Sequence, residues 1–333
     1  MAAQLKKTVK PSSGDYTSLE ACMNANEQDL VSNDKYFDVE IDGDWTAAAD
    51  SSAVTIHNYT TDATRYINIY TTAAARHDGK WCATAYRLEM DTRVINSDSV
   101  SNIGLSGVQA VKTGTGTGNY QDAVLYQNTV DSYRAWDSNI FITRATGGSA
   151  SAGIRLPYEA RGLFTNSVFI GYYGVYTIGY FRATTTQSYM NCVFIGTGYQ
   201  GFRKSGDSNR SVRVINCYAV GNGGQAAYVI AGTTHIVITT CASDDGSCST
   251  STVAYATDSG AYFTNVSSGT EDFHIGASSD FIGAGTDESG VFTNDIDDDT
   301  RSAWDIGVDE YQAVGGGLSI PIARHHRRLM GVS

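Results

Sequence analysis

One pattern recurs at nearly constant spacing in the second half of this 333-residue chain. It returns in five segments, LFTNSVF, SYMNCVF, RVINCYA, VITTCAS and YFTNVSS. Their central polar residues are Asn166, Asn191, Asn216, Thr240 and Asn265. The residues that follow the first four are small, namely Ser167, Cys192, Cys217 and Cys241. Self-similarity at intervals of 25, 25, 24 and 25 residues predicts one structural unit per interval.

A unit of this length without a helical pattern predicts a lap of three short strands and three turns. The 35 Gly and 21 Tyr residues favour strands and tight turns over helices. Successive laps would stack as parallel strands about 4.8 Å apart. We therefore predict an all-β solenoid, a single-stranded parallel β-helix. The apolar and Ser/Cys columns would face its interior, and the Asn column would form a hydrogen-bonded ladder at a turn.

Other repeat architectures fit the sequence less well. Leucine-rich repeats need a Leu framework that this chain lacks, and propeller blades run to about 40 residues or more. A β-sandwich has no fixed phase of this kind.

The pattern also divides the chain. We predict an N-terminal arm over 1–16 and a capping helix with its lead-in over 17–34, where Thr17 and Glu20 fit a capping box. The β-helix would cover 35–290, with room for roughly ten laps. A loop-rich C-terminal cap over 291–314 and a Gly hinge with a basic tail over 315–333 complete the chain.

Charge and hydropathy limit the partners. The formal net charge of −12 argues against nucleic acid as a partner. No stretch approaches the roughly 18 apolar residues of a membrane span, so no membrane insertion is expected. The first residues lack the apolar core of an export signal, which predicts synthesis in the cytoplasm and six free cysteines.

Two stretches carry a resemblance to a known group. GDYTSLEACMNANEQDLV, followed by TTDATRYINIYTTAAARHDGKWCATAYRLEM, resembles the opening of right-handed parallel β-helix proteins from phage and environmental genomes. FIGAGTD…DIDDDTRSAWDIGVDEY is similar to their closing segment. Asp298 stands where that segment usually has Gly, and Val308–Asp309 replace a small and an aromatic residue. The resemblance covers most of residues 12–311 and implies a right-handed coil.

The same resemblance implies a function. The group includes phage tail spikes and fibres, virion surface proteins, bacterial surface proteins and some polysaccharide-cleaving enzymes. We therefore expect a phage virion structural protein, a head decoration or a tail fibre or spike component. Its partners would be other virion proteins, further copies of itself and a host-surface polysaccharide. The alternative is a polysaccharide lyase or glycoside hydrolase on the same fold.

Two groups of residues are candidates for catalysis. Asp137 and Glu159 could approach across one lap, and a retaining glycosidase needs two carboxyl groups about 5 Å apart. His77 and Asp78 could supply a base beside a carboxylate for a lyase. In both cases the favoured interpretation is structural: stacking and ion pairs for the first pair, and a turn for the second. No catalytic residue is predicted outright.

A third group could bind a metal ion. Asp295, Asp297 and Asp299 alternate in DIDDD, which would place their carboxylates on one side of an extended segment and suit Ca²⁺. The favoured alternative is an acidic cap turn whose carboxylates bond Arg301 and backbone amides. We therefore predict no cofactor, with Ca²⁺ as the alternative.

The basic tail is the predicted docking element. Its apolar and basic residues would contact the pockets and acids of a partner; they are Ile320, Ile322, Arg324, Arg327, Arg328, Leu329 and Met330. The alternative is a disordered solubilising end. The neighbouring His325 and His326 could chelate a metal adventitiously.

Overall fold

Three parallel sheets wind into one solenoid. The computed structural model describes residues 2–114, 122–127, 135–144, 151–157, 162–178, 186–205, 208–222, 224–230, 233–248 and 262–312. The chain passes from sheet I to sheet II to sheet III and then begins the next lap. This is a right-handed parallel β-helix, as the sequence predicts.

Sheet I contains nine strands and sheets II and III contain seven each. The strands of sheet I are β1 (Ala3–Val9), β2 (Lys35–Ile41), β4 (Ile67–Thr71), β7 (Ile103–Ser106), β10 (Ala135–Asp137), β13 (Gly162–Thr165), β16 (Thr186–Met190), β19 (Ser208–Ile215) and β22 (Thr233–Thr239). Those of sheet II are β5 (Arg87–Met90), β8 (Gln109–Lys112), β11 (Ile140–Thr143), β14 (Val168–Gly171), β17 (Val193–Gly196), β20 (Tyr218–Val220) and β23 (Ala242–Ser243). Those of sheet III are β3 (Val54–Ile56), β6 (Ile95–Asp98), β9 (Val124–Gln127), β12 (Ala152–Pro157), β15 (Tyr173–Ile178), β18 (Phe202–Ser205) and β21 (Tyr228–Ile230).

The laps shorten along the chain. Ile67 pairs with Ile103, 36 residues later, whereas Thr186 pairs with Ser211, 25 residues later. The 25-residue period therefore belongs to the later laps, and longer connections in the earlier laps hide it. For the same reason the expected ten laps are too many: sheets II and III have seven strands each.

Aromatic and aliphatic columns fill the interior. Phe164 stacks on Tyr189 with ring centroids 5.0 Å apart, and Phe169 stacks on Phe194 at 5.9 Å. The strand register sets each ring over its counterpart in the next lap. Like residues thus lie over like residues, as the recurrence predicts.

A short helix covers the N-terminal end of the coil. The helix α1 (Leu19–Ala25) buries Leu19, Cys22 and Met23 and packs against β3. Its N-cap is Ser18, whose hydroxyl accepts from the amide of Ala21 at 3.2 Å, so the expected N-cap at Thr17 is one residue off. The predicted N-terminal arm is also wrong in part, because β1 pairs with β2 along its whole length as the first rung.

The recurring Asn residues make the corner between sheets I and II. Asn166, Asn191, Asn216 and Thr240 have φ angles of 45° to 53°, the left-handed region that Asn tolerates better than most residues. The Asn216 amide donates to Asn191 Oδ1 at 3.1 Å, and the Thr240 hydroxyl donates to Asn216 Oδ1. The amide ladder is therefore present from Asn191 to Thr240, whereas the described hydrogen bonds of the Asn166 and Asn191 amide groups go to residues outside the ladder.

The small residue after each corner has a role of its own. The backbone amide of Cys192 donates to Cys217 Sγ at 3.3 Å, and that of Cys217 donates to Cys241 Sγ at 3.4 Å. One lap earlier in the column, Ser167 Oγ accepts from the backbone amide of Asn139 at 3.1 Å. Each side chain thus accepts an amide proton of the lap before it. The three cysteines stack, as predicted.

Asn265 is not part of this ladder. It ends β24 (Phe263–Asn265), which pairs antiparallel with β25 (Asp272–Ile275), and its amide donates to Thr270 O at 2.9 Å. The last described strand of the solenoid is β23, so the fifth segment repeats the sequence pattern without forming a rung.

Residues 262–312, here called the flank segment, lie along the side of the solenoid. The outward side chains of sheet II, which include Ile140, Ile142 and Val168, pack against the flank residues Phe273 and Ile306 in one apolar cluster. Strands of sheet II are accordingly buried on both faces. The predicted boundaries are therefore wrong at this end: the β-helix does not reach residue 290, and its closing segment covers a flank.

The described residues hold no helix with the length and apolarity that a membrane span requires.

Substitutions of Asn191 test how much the corner contributes to stability. Its amide donates to Asp305 O at 2.8 Å and to Gly307 O at 3.0 Å, and its side chain is fully buried. We expect Asn191→Ala to lower the free energy of unfolding by about 2–4 kcal/mol, because it strains the backbone and unpairs two carbonyl groups. Asn191→Gly, which removes only the bonds, should lose about 1 kcal/mol less. Urea unfolding measures both, and equal losses would contradict a contribution from the backbone conformation.

Candidate functional site

Stretches far apart in the sequence meet where the flank segment crosses the corner. The amide of Trp81 donates to Glu271 O at 2.8 Å, and Arg76 Nη2 donates to Ile296 O at 3.4 Å. The Ser138 hydroxyl donates to Asp295 O at 3.3 Å. The two motifs ARHDGKW and DIDDD, which the sequence presents as separate candidates, therefore form one site.

His77 is buried there as a neutral imidazole. Its Nε2 lies 2.9 Å from Ser138 O, and its Nδ1 accepts from the amide of Gly79 at 3.3 Å. One nitrogen thus carries the proton and the other accepts, a pattern that only the neutral ring satisfies. Burial lowers the pKa of His77 to about 3.

Asp78 takes no part in this arrangement. It is exposed, and its carboxylate lies 2.8 Å from Lys80 Nζ. The described contacts of His77 go to Ser138 and Gly79, so the suggested His–Asp couple for a lyase is not formed.

The DIDDD stretch is a turn. Asp298 has a φ of 77°, a left-handed conformation that Gly adopts most readily. Asp295 Oδ1 accepts from the amides of Asp297 and Asp299 at 2.9 and 2.8 Å. Burial raises the pKa of Asp295 to about 7. The expectation of three carboxylates on one side of an extended segment is therefore wrong.

A histidine that the sequence analysis did not select lies between carboxylates. His274 Nδ1 is 2.5 Å from Asp272 Oδ1, and Nε2 is 2.7 Å from Asp297 Oδ2. The bond to Asp297 raises the pKa of His274 to about 10. Asp309 is close by: its Oδ2 accepts from the amide of Ile275 at 2.8 Å, and burial raises its pKa to about 6.

Three of these side chains, those of His274, Asp297 and Asp309, form the candidate cation site of the described residues. One ligand atom each from His274, Asp297 and Asp309 lies within 4.8 Å of the others. Little in the sequence indicates this group, because His274 and Asp297 are 23 positions apart and no spacing rule connects them. Only the alternation in DFHI, which sets Asp272 and His274 on one face of β25, pointed to it.

Arg301 links the flank segment to the corner between sheets I and II. Its Nη2 donates to Asn166 Oδ1 at 2.9 Å and to Val308 O at 2.6 Å, and its Nη1 lies 3.6 Å from Glu310 Oε2. Its described hydrogen bonds go to Asn166 and to backbone carbonyls, so the expected bonds to the DIDDD carboxylates are not among them. The closing motif thus joins the flank segment to this corner.

Asp137 accepts hydrogen bonds at the same corner. It accepts from Thr165 Oγ1 at 2.7 Å, Asn166 Nδ2 at 3.0 Å and Asn294 Nδ2 at 3.2 Å. It pairs in register with Thr165, 28 residues later, so the 25-residue offset does not apply here. Glu159 lies outside the described residues, and the pairing of the two carboxylates stays a prediction.

A second candidate surface is a strip of aromatic and basic side chains on sheet III. Because Val175 faces the core, its neighbour Tyr176 faces outward, and Tyr176 pairs in register with Arg203. The Arg203 guanidinium lies 5.5 to 5.9 Å from three tyrosine ring centroids. We call the five side chains the tyrosine strip; they are Tyr172, Tyr173, Tyr176, Tyr199 and Arg203.

The rings of the strip hold one another in place. Tyr172 stacks on Tyr199 from the next lap, with centroids 5.8 Å apart and planes 3° apart, and Tyr173 stacks on Tyr176 at 4.7 Å. A Cβ on Gly198 would meet the Tyr172 ring at 2.4 Å, so that position needs glycine. Tyr172, Tyr176, Tyr199 and Arg203 are partly exposed.

The predicted docking residues of the tail, from Ile320 to Met330, lie outside the described residues. No family model, curated protein or solved structure matches the chain. The fold therefore defines the class, a right-handed parallel β-helix protein, and its function is a matter of proposal.

The neutral state of His77 predicts a pH dependence. The unfolded chain gains a proton near pH 6.5 that the folded chain accepts only near pH 3, so stability falls as the pH drops below 6.5. Between pH 8 and pH 5 we expect the wild type to lose about 2 kcal/mol more than His77→Gln. Urea unfolding at both pH values measures this, with His57→Gln as the matched control at a more exposed histidine. The same pH slope in wild type and His77→Gln would contradict it.

Proposed function

We propose that the protein is a phage virion structural protein whose β-helical rod binds a host-surface polysaccharide through the tyrosine strip. The observation that carries the glycan-binding part is the strip itself. The virion assignment is supported by the resemblance of residues 12–311 to phage β-helix proteins and by the fold.

The strip has the chemistry that a sugar chain requires. A pyranose ring presents an apolar face of C–H groups, which packs on a flat aromatic ring, and hydroxyl groups at its edge. Tyr172 and Tyr199, which lie in adjacent laps and are both partly exposed, offer such rings. The Arg203 guanidinium, which Gln200 Oε1 holds at 3.4 Å, supplies hydrogen-bond donors beside them.

The solenoid suits repeated sugars. The strip spans two adjacent laps about 4.8 Å apart, so a sugar chain that runs along the axis would contact side chains of both laps. The partial burial of each ring also limits the side-chain entropy lost on binding.

The remaining partners are part of the proposal. The tail would dock the rod onto another virion protein or a further copy of the chain, with its arginines meeting acidic groups. A depolymerase is the competing proposal, and the binding experiment below separates the two.

Loss of two rings should weaken glycan binding. We expect Tyr172→Ala/Tyr199→Ala to lower the affinity for its bacterial surface polysaccharide about tenfold, because each lost ring contact is worth roughly 0.5–1 kcal/mol. Binding of O-antigen and capsular polysaccharides is measured by biolayer interferometry. Tyr66→Ala is the matched control, since Tyr66 stacks on Tyr36 at 5.3 Å beside sheet I.

Two results would contradict the proposal. Equal loss in the Tyr66→Ala control would show that the strip has no special role. New reducing ends or unsaturated products in the same incubations would replace the binding protein by a depolymerase.

The tail is tested separately. We expect removal of residues 315–333 to abolish incorporation into particles while leaving glycan affinity and thermal unfolding unchanged, because the tyrosine strip and the three sheets are built from earlier residues. Sedimentation of particles assembled with the truncated chain measures incorporation, and Arg324→Glu/Arg327→Glu/Arg328→Glu tests charge alone. Normal incorporation of both variants would refute docking through the tail.

A further inference from the structure

We propose that His274, Asp297 and Asp309 form a Zn²⁺ site that cross-links three parts of the flank segment beside the solenoid. This inference is independent of the proposed glycan binding, which uses sheet III on another face of the coil.

The geometry around His274 calls for a positive charge. Both ring nitrogens face carboxylate oxygens, Asp272 on one side and Asp297 on the other. A neutral imidazole has one N–H and one lone pair, so one of the two carboxylates would face a lone pair. Either a second proton or a metal ion on Nε2 removes that repulsion.

Asp297 provides the independent sign of a missing ligand. Its Oδ2 contacts His274, but its Oδ1 is buried and has no hydrogen-bond partner among the described residues. A buried carboxylate oxygen without a partner is costly. A metal ion held by His274, Asp309 and both carboxylate oxygens of Asp297 would satisfy it.

Gly79 leaves the space beside these ligands open. Its φ is 73°, and a Cβ there would lie 2.2 Å from Asp297 Oδ1 and 2.9 Å from His274 Nε2. Any other residue at this position would intrude on the ligand atoms. The glycine of ARHDGKW thus serves the site and not only its own turn.

The donor set favours zinc over calcium. Ca²⁺ takes oxygen ligands, whereas imidazole nitrogen with carboxylate oxygen suits Zn²⁺. In tetrahedral Zn²⁺ sites the ligand atoms are roughly 3.3 Å apart, so His274 Nε2 and Asp297 Oδ2 need to separate slightly from their 2.7 Å contact. Asp272 would hold the Nδ1 proton, the usual carboxylate partner of a zinc-bound histidine.

The site differs from the calcium site considered from the sequence. Asp295 bonds backbone amides instead, and of the DIDDD aspartates only Asp297 is a ligand. The ligands come from β25, from the turn at 295–299 and from the end of the flank segment. A metal ion would therefore join three stretches whose described contacts to one another are otherwise hydrogen bonds and apolar packing.

The test is a Zn²⁺ titration of the full chain carrying His325→Ala/His326→Ala, which removes the adventitious chelator of the tail. Protein stripped with EDTA is titrated with ZnCl₂ by calorimetry and by competition with a chromophoric chelator. We expect one equivalent to bind with a Kd below about 1 µM, and His274→Gln and Asp297→Asn to weaken binding at least tenfold. Asp299→Asn, a neighbouring carboxylate outside the ligand set, is the matched control and should bind as the parent does.

Stability and spectroscopy complete the test. At a hundredfold excess of free Zn²⁺ over Kd, the Tm should rise by about 5 °C in the parent and in Asp299→Asn but not in the ligand variants. If a ligand variant fails to fold, X-ray absorption at the zinc edge of the parent must still show one imidazole with oxygen ligands. Binding weaker than about 1 mM, equal binding in the ligand variants, an all-oxygen shell, or binding of Ca²⁺ in preference to Zn²⁺ would each overturn the site.

Discussion

The structure depends on how the backbone satisfies its hydrogen bonds at one corner. Between sheets I and II the chain turns sharply, and the strand ladder cannot continue through a residue with φ near 50°. Asn supplies that conformation, and the sulfur or hydroxyl of the next residue accepts an amide of the preceding lap. This pair of roles explains why an amide and a small polarisable side chain recur together.

The same corner also serves as a docking surface. The corner side chains bond backbone groups of the flank segment: Asn216 exchanges bonds with Thr286 in both directions, with distances of 2.8 Å each. Sheet II adds an apolar outer face next to it. A polar row and an apolar face therefore fix the flank segment along its length, and the candidate metal site lies where that segment reaches Gly79.

The repeating part of the fold could be predicted well, because a repeat at fixed spacing is visible in the sequence without knowledge of long-range contacts. The period, the inward columns and the stacking of Cys192, Cys217 and Cys241 all follow from spacing alone. The prediction failed where the repeat ends. Asn265 fits the pattern, but the motif does not distinguish a strand of the solenoid from a strand of a separate hairpin. A signal for the covered flank was available in IFIT and VFIG, whose unbroken apolar runs indicate strands buried on both faces. The His274 cluster could not be predicted, because its members meet only through the path of the flank segment.

The flank segment bonds successive laps of the solenoid as well as covering one side of it. It bonds Ser138, Asn166, Asn191 and Asn216, which are consecutive corners of four laps. Most solenoids can gain or lose a repeat with little effect on the rest, because each repeat contacts only its neighbours. Here an inserted lap would displace every later corner by about 4.8 Å relative to a partner of fixed length. The segment thus fixes the positions of these four laps relative to one another.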